Sequence, residues 1–239
     1  MYSRYNYNRY RYDTRPFAGL LSSWGRLKIR HVVTLLDEIP RNERIKFFRE
    51  ADLDQCDTRK AMNAMHWSCF LGFFDIVEDL ISIKPCLIHR HSIYPSWSPL
   101  HFAIHKYHIR IVRILLESGA YPNIVFSRQK KSVIARVAED GLEEYVDLLL
   151  NAGADPNFLV GHNCPLQLAC NKSRIQCVEY LLRHEKIRIP PEIKIHDQII
   201  FDKIQRYKFF RRNAHIRICK HLFKTIPTDL IREIALYLI

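Results

Sequence analysis

The chain is poor in the residues from which catalytic loops are built. It has seven glycines in 239 positions. Most of them fall in turns of a recurring unit, which leaves little material for a strained, glycine-rich loop around a phosphate or an oxyanion. No glycine-rich phosphate loop, no Gly-x-Ser-x-Gly elbow and no His-Glu-x-x-His occurs. The seven cysteines, Cys56, Cys69, Cys86, Cys164, Cys170, Cys177 and Cys219, contain no Cys-x-x-Cys pair. Their scatter reads as reduced thiols of an intracellular protein, several of them on apolar helix faces. A run of eighteen apolar residues is also lacking, which excludes a membrane-spanning helix. The start, Met1-Tyr2-Ser3-Arg4-Tyr5-Asn6, has no apolar core of a secretory leader, so a cytoplasmic or nuclear location is expected. A cysteine nucleophile meeting a distant histidine is the one catalytic arrangement left open by the residues, and the apolar surroundings of the cysteines argue against it. The expectation is a chain that is no enzyme and uses no cofactor.

Acidic residues are scarce at the two ends. The formal net charge is +12. Residues 1–30 carry seven Lys/Arg against Asp13, and residues 183–224 carry twelve against Glu185, Glu192, Asp197 and Asp202. Basic ends around a near-neutral middle suit nucleic acid, an acidic partner or a membrane surface, although a solvated face is the commoner reason for such runs.

What the chain does have is a unit of about 34 residues. The blocks Ile76-Val77-x-x-Leu80-Ile81, Ile111-Val112-x-x-Leu115-Leu116, Val146-x-x-Leu149-Leu150 and Val178-x-x-Leu181-Leu182 recur with Val77, Val112, Val146 and Val178 at intervals of 35, 34 and 32 residues. Each block gives the apolar stripe of a helix. Each is preceded by a shorter segment with small residues, such as Ala103 and Ala169, that lets a first helix approach its partner closely. Gly119 and Gly153 follow the second helices, where a positive φ ends a helix, and Tyr121-Pro122-Asn123 and Asp155-Pro156-Asn157 then favour a turn. A lone unit would leave its apolar faces wet, so the units must stack.

Ser98-Pro99-Leu100-His101-Phe102-Ala103 and Gly153-Ala154-Asp155-Pro156-Asn157 resemble the Thr-Pro-Leu-His and Gly-Ala-Asp-x-Asn signatures of the ankyrin repeat. The resemblance covers residues 58–186. It implies an all-α fold, an ankyrin-repeat solenoid of helix pairs with short β-hairpin turns and a C-terminal helical element. Two units depart from the pattern: Val133-Ile134-Ala135-Arg136 replaces Pro-Leu-His in the third, and Gln167 replaces His in the fourth. Both departures bear on how those units hydrogen-bond at their start. His101, His105 and His108 stand at helical spacing that suits a metal, but His101 and His108 fall where the ankyrin pattern itself places histidine, and no carboxylate or cysteine cluster joins them. No metal is expected.

Outside the repeats, residues 1–17 interleave Tyr2, Tyr5, Tyr7, Tyr10 and Tyr12 with Arg4, Arg9, Arg11 and Arg15, without a period that assigns an apolar face, and read as a disordered tail. Residues 18–57 read as a degenerate leading repeat or cap. Its Val32-Val33-x-Leu35-Leu36 resembles a second-helix block, with an insertion at Pro40 to Asp57 before the next unit. Residues 187–239 read as a basic connector and a last, apolar helix.

That last segment resembles the opening of an F-box, with Ile226-Pro227-Thr228-Asp229-Leu230-x-x-x-Ile234-Ala235-x-x-Leu238 answering its Leu-Pro-x-Glu-Leu-x-x-x-Ile-Leu-x-x-Leu. Truncated F-boxes of this kind end the ankyrin proteins of large DNA viruses. A SOCS box is matched in part by Ile218-Cys219-Lys220 and Ile226-Pro227-x-x-Leu230. Either tail implies docking to a cullin adaptor, through Ile226, Pro227, Leu230, Ile231, Ile234 and Leu238; a plain cap on the last repeat is the alternative. The expected function is a protein–protein interaction scaffold, a substrate receptor of a cullin–RING ubiquitin ligase that works as a monomer within a complex. Its target protein would meet the repeat turns at Trp97, Arg128, Lys130, Lys131, His162 and Asn163. The alternatives are a binding module without a ligase, and a binder of nucleic acid or acidic surfaces through the basic ends.

Overall fold

The computed structural model describes residues 29–54, 56, 61–93, 96–126, 130–161 and 164–222, with side chains in the last helix described as far as Arg211. The chain divides into two compact units, Met1–Gln129 and Lys130–Ile239. Helices dominate both.

The first unit holds three helix pairs: α1 (Ile29–Leu36) with α2 (Arg41–Glu50), α3 (Ala64–Leu71) with α4 (Phe74–Ile83), and α5 (Pro99–His105) with α6 (Ile109–Glu117). A 3-10 turn, Pro85–His89, follows α4, and strand β1 (Val125–Phe126) ends the described part of the unit. First helices pack on first helices, α1 on α3 and α3 on α5, while second helices form a separate layer, α2 on α4 and α4 on α6. The residues explain the layering. Ala64, Met65 and Cys69 of α3 and Leu100, Ala103 and Ile104 of α5 are buried on short first helices, and Ile111, Val112, Leu115 and Leu116 form the buried stripe of α6.

The second unit begins with strand β2 (Lys131–Ser132) and holds the pairs α7 (Val133–Asp140) with α8 (Glu143–Asn151) and α9 (Pro165–Asn171) with α10 (Ile175–Arg183). Its layers repeat the scheme, α7 on α9 and α8 on α10. After Pro190-Pro191 no further pair forms among the described residues. One long helix, α11 (Gln198–Leu222), packs instead on α10, with Ile200 and Ile204 fully buried.

The leading segment corrects the sequence reading. The stretch taken as an insertion carries α2, and Val32, Val33 and Leu36 lie on α1, which packs in the layer of first helices. An amphipathic stripe fixes which face of a helix is buried, but a first and a second helix can carry the same letters, so the stripe alone does not assign the layer.

Gly119 and Gly153 have φ of 90° and 86° after the second helices, as their placement predicts. A second positive-φ position recurs between the two helices of four of the five pairs, at Gly72, Tyr107, Gly141 and Ser173. At Gly72 (φ 91°) a Cβ would stand 2.7 Å from the His108 ring, because the next pair's second helix begins against this turn. Gly72→Ala is therefore expected to cost about 2 kcal/mol from the left-handed backbone and the crowding together. Tyr107, 56 % exposed with φ 60°, carries the backbone penalty without crowding, so Tyr107→Gly is expected to stabilise by about 0.5–1 kcal/mol. Urea midpoints of the two variants, shifting in opposite directions, check both.

Candidate functional site

Four of the five pairs send one side chain from the start of the first helix to the main chain of the turn that follows. In α3, the His66 ring accepts from the Asn63 N–H at 3.2 Å through Nδ1, which leaves Nε2–H to donate to the Arg90 carbonyl at 3.0 Å. In α5, His101 repeats this, with the Ser98 N–H at 3.0 Å and the Val125 carbonyl at 3.0 Å. The two units that depart from the repeat pattern keep the tie with other chemistry. The Ser132 hydroxyl donates to the Phe158 carbonyl at 3.0 Å while accepting from the Ala135 N–H. Gln167 donates to the Lys194 carbonyl at 2.8 Å and accepts from its N–H at 3.0 Å. These ties hold the turns in fixed positions on the helix layers.

Trp97 precedes the cap of α5 and is half-buried. Its ring stacks on His101 with centroids 6.0 Å apart and meets Phe102, His105 and Phe126 edge-on at 5.2, 4.9 and 5.3 Å. The burial that encloses His101 pushes its pKa down to about 4, so the ring is neutral at physiological pH. In the second unit Lys130 is exposed, whereas Lys131 pairs with Glu139 at 2.5 Å on α7 and has its charge committed there. Arg128, His162 and Asn163, and the tail residues Ile226, Pro227, Leu230, Ile231, Ile234 and Leu238, lie outside the described residues, as does the Tyr/Arg-rich segment 1–17.

The structure also exposes apolar side chains in the turns that sequence reasoning missed: Ile93 is 75 %, Tyr121 63 % and Leu159 57 % exposed. The available signal was an apolar letter inside a turn segment flanked by Pro, Asn or Gly. Within the second unit, a cleft of about 1820 Å³ lies between the turns 153–161 and 184–191 on one side and α11 on the other.

Among the described residues no group of three His, Cys, Asp or Glu could hold a metal ion, and no helix is long and apolar enough to cross a membrane. Cys69, Cys170 and Cys177 are free and buried, whereas Cys56 and Cys86 are exposed. Burial pushes the Cys69 thiol well up, Cys170 to about 12 and Cys177 to about 11, so all three are protonated at neutral pH.

Residues 36–126 match the family model for ankyrin repeats (3 copies). The "Ankyrin repeat, SAM and basic leucine zipper domain-containing protein 1" of Ornithorhynchus anatinus is 34 % identical over 95 residues, 37 % of this chain and 20 % of that protein. Its counterpart in Atelerix albiventris is 37 % identical over 68 residues, 26 % of this chain and 14 % of that protein. The chain thus spans a fifth or less of these relatives. Among solved structures, the ankyrin repeat domain of Bcl-3, a member of the IkappaB protein family, superposes with a TM-score of 0.64 at 19 % identity, covering 80 % of this chain and 91 % of that one. The fold is that of an ankyrin-repeat solenoid, a protein–protein interaction module.

Proposed function

We propose that this chain is a substrate receptor of a cullin–RING ubiquitin ligase. The ankyrin repeats hold a target protein and the last apolar helix docks the adaptor that links it to the cullin. No bond is made or broken by the chain; it raises the effective concentration of the target near the ligase. Target contacts are proposed at the repeat turns, with Trp97 as a rigid aromatic anchor and Lys130 as an exposed basic position. Adaptor contacts are proposed at Ile226, Pro227, Leu230, Ile231, Ile234 and Leu238, which carry the F-box-like pattern.

The observation that favours adaptor docking over a plain cap is the packing of α11. A solenoid needs its terminal face covered, and Ile200 and Ile204 already cover α10. Capping of α10 therefore does not call for the apolar residues 226–238. Deleting residues 223–239 tests this. The proposal expects a melting temperature within about 2 °C of the full chain, since on this reading the tail is not the cover of the last repeat, together with loss of cullin capture. A fall of more than about 8 °C would show the tail to be a cap.

A further inference from the structure

We propose that the cleft beside α11 binds an acidic segment of a partner protein that also carries aliphatic side chains. The inference rests on the reading that the repeats hold a protein target, and does not depend on adaptor docking. Lys186, Arg188, Lys208 and Arg211 line the cleft, and Leu159 and Phe209 supply its apolar surface. Asp155 is the one carboxylate residue among the described residues that line it, and its oxygen is occupied in its own turn by the N–H and side-chain amide of Asn157 at 2.9 and 3.3 Å. No described carboxylate forms an ion pair with Lys186, Arg188 or Lys208, although Lys203 on the same helix does pair, with Glu179. The cleft is therefore electrostatically one-sided, which favours an anionic occupant.

Its walls are fixed before anything binds. Asn157 joins the two turns, donating to the Lys186 carbonyl at 2.7 Å and accepting from the Arg188 N–H at 2.7 Å. Arg211 fastens α11 to the second turn through the carbonyls of Ile187, at 2.9 Å, and Glu185. An extended peptide entering such a slot loses its own freedom but orders little of the protein.

The lining also discriminates between anionic polymers. A nucleic acid strand gains from successive open aromatic faces. Here Phe209, 62 % exposed, is the one well-exposed ring among the described lining residues, because Tyr207 is half-buried with the Arg211 guanidinium 5.7 Å from its ring centroid. The rest of the apolar wall, including Leu159 and Pro190-Pro191, is aliphatic and fits the side chains of a peptide.

The test is fluorescence anisotropy with the full chain and a fluorescein-labelled peptide of repeating Glu-Leu-Glu-Ser, beside a labelled single-stranded RNA of equal length. Saturable peptide binding is expected, tighter than RNA at the same ionic strength. The double reversal Lys186→Glu, Arg188→Glu should weaken it about tenfold or more, and Phe209→Ala, a change at an exposed site that leaves the fold intact, several-fold. Arg113→Glu, an exposed reversal on α6 at a residue that does not line the cleft, should leave it unchanged. Absent saturation, equal weakening by Arg113→Glu, or tighter binding of RNA overturns the proposal. Loss of peptide binding in a chain that still captures a cullin sinks the cleft alone, and retained peptide binding without a cullin sinks the ligase reading alone.

Discussion

Replacing Asp79 with alanine is expected to destabilise the first unit by about 3–5 kcal/mol, the cost of leaving one member of a buried ion pair alone. Asp79 lies on α4 with its carboxylate fully buried. One oxygen accepts from the Arg41 Nε at 2.7 Å and the other from the Arg44 Nε at 2.8 Å, both residues of α2. The arginines differ in what they lose. The Arg41 side chain is 60 % exposed and can turn to water, whereas that of Arg44 is 6 % exposed and would keep an uncompensated charge in the interior. Arg41→Ala is therefore expected to cost far less than Asp79→Ala, as exposed pairs do. The corresponding positions of the other second helices are Ile114, Leu148 and Tyr180, so the site accommodates apolar side chains elsewhere in the chain. The double variant Asp79→Leu, Arg44→Leu should accordingly recover most of the stability lost in Asp79→Ala. Urea unfolding of the three variants separates a buried charge from mere loss of contacts. Equal losses for Arg41→Ala and Asp79→Ala would contradict the assignment.

His101 is expected to make the first unit acid-sensitive by about 3 kcal/mol. Its ring is 2 % exposed, and burial, with a lesser contribution from the charge of His91, lowers its pKa from 6.5 to about 4. In the unfolded chain the ring takes a proton near 6.5, so between these values the unfolded state binds more protons than the folded one. Stability then falls as pH drops from 6.5 towards 4 and changes little from this residue outside that window. Protonation would also place a proton on Nδ1, which in the neutral ring accepts from the Ser98 N–H. Gln167 forms the same kind of tie to a following turn in α9, which makes His101→Gln the informative substitution. Its urea midpoint should vary less between pH 4 and 6.5 than that of the unaltered chain. An unchanged pH profile would show that another group carries the sensitivity.

The second helices were legible because their stripe is written in four copies at nearly equal intervals, and α4, α6, α8 and α10 bury those positions. The departures at Ser132 and Gln167 left the first turns of α7 and α9 open on sequence alone. A hydrogen bond to a backbone carbonyl needs a donor at the right height, and a hydroxyl or an amide meets that need as well as an imidazole. Asp79 went unread although its signal was present, an acid in a register held by apolar residues in the other copies. Its partners come from α2, a helix whose sequence Arg41-Asn42-Glu43-Arg44-Ile45-Lys46-Phe47-Phe48-Arg49-Glu50 shows little apolar periodicity. The cleft was beyond sequence reasoning for a different reason. It depends on where α11 comes to rest against α10, a tertiary arrangement that no interval between residues encodes.

A pull-down from cell extract with the intact chain, beside a Leu230→Asp, Ile234→Asp variant whose folding is verified by circular dichroism, tests the receptor function most directly. Recovery of a cullin together with its adaptor by the intact chain, and by that chain alone, is the predicted result. A folded intact chain that recovers no cullin component, or a variant that recovers as much as the intact chain, would contradict it.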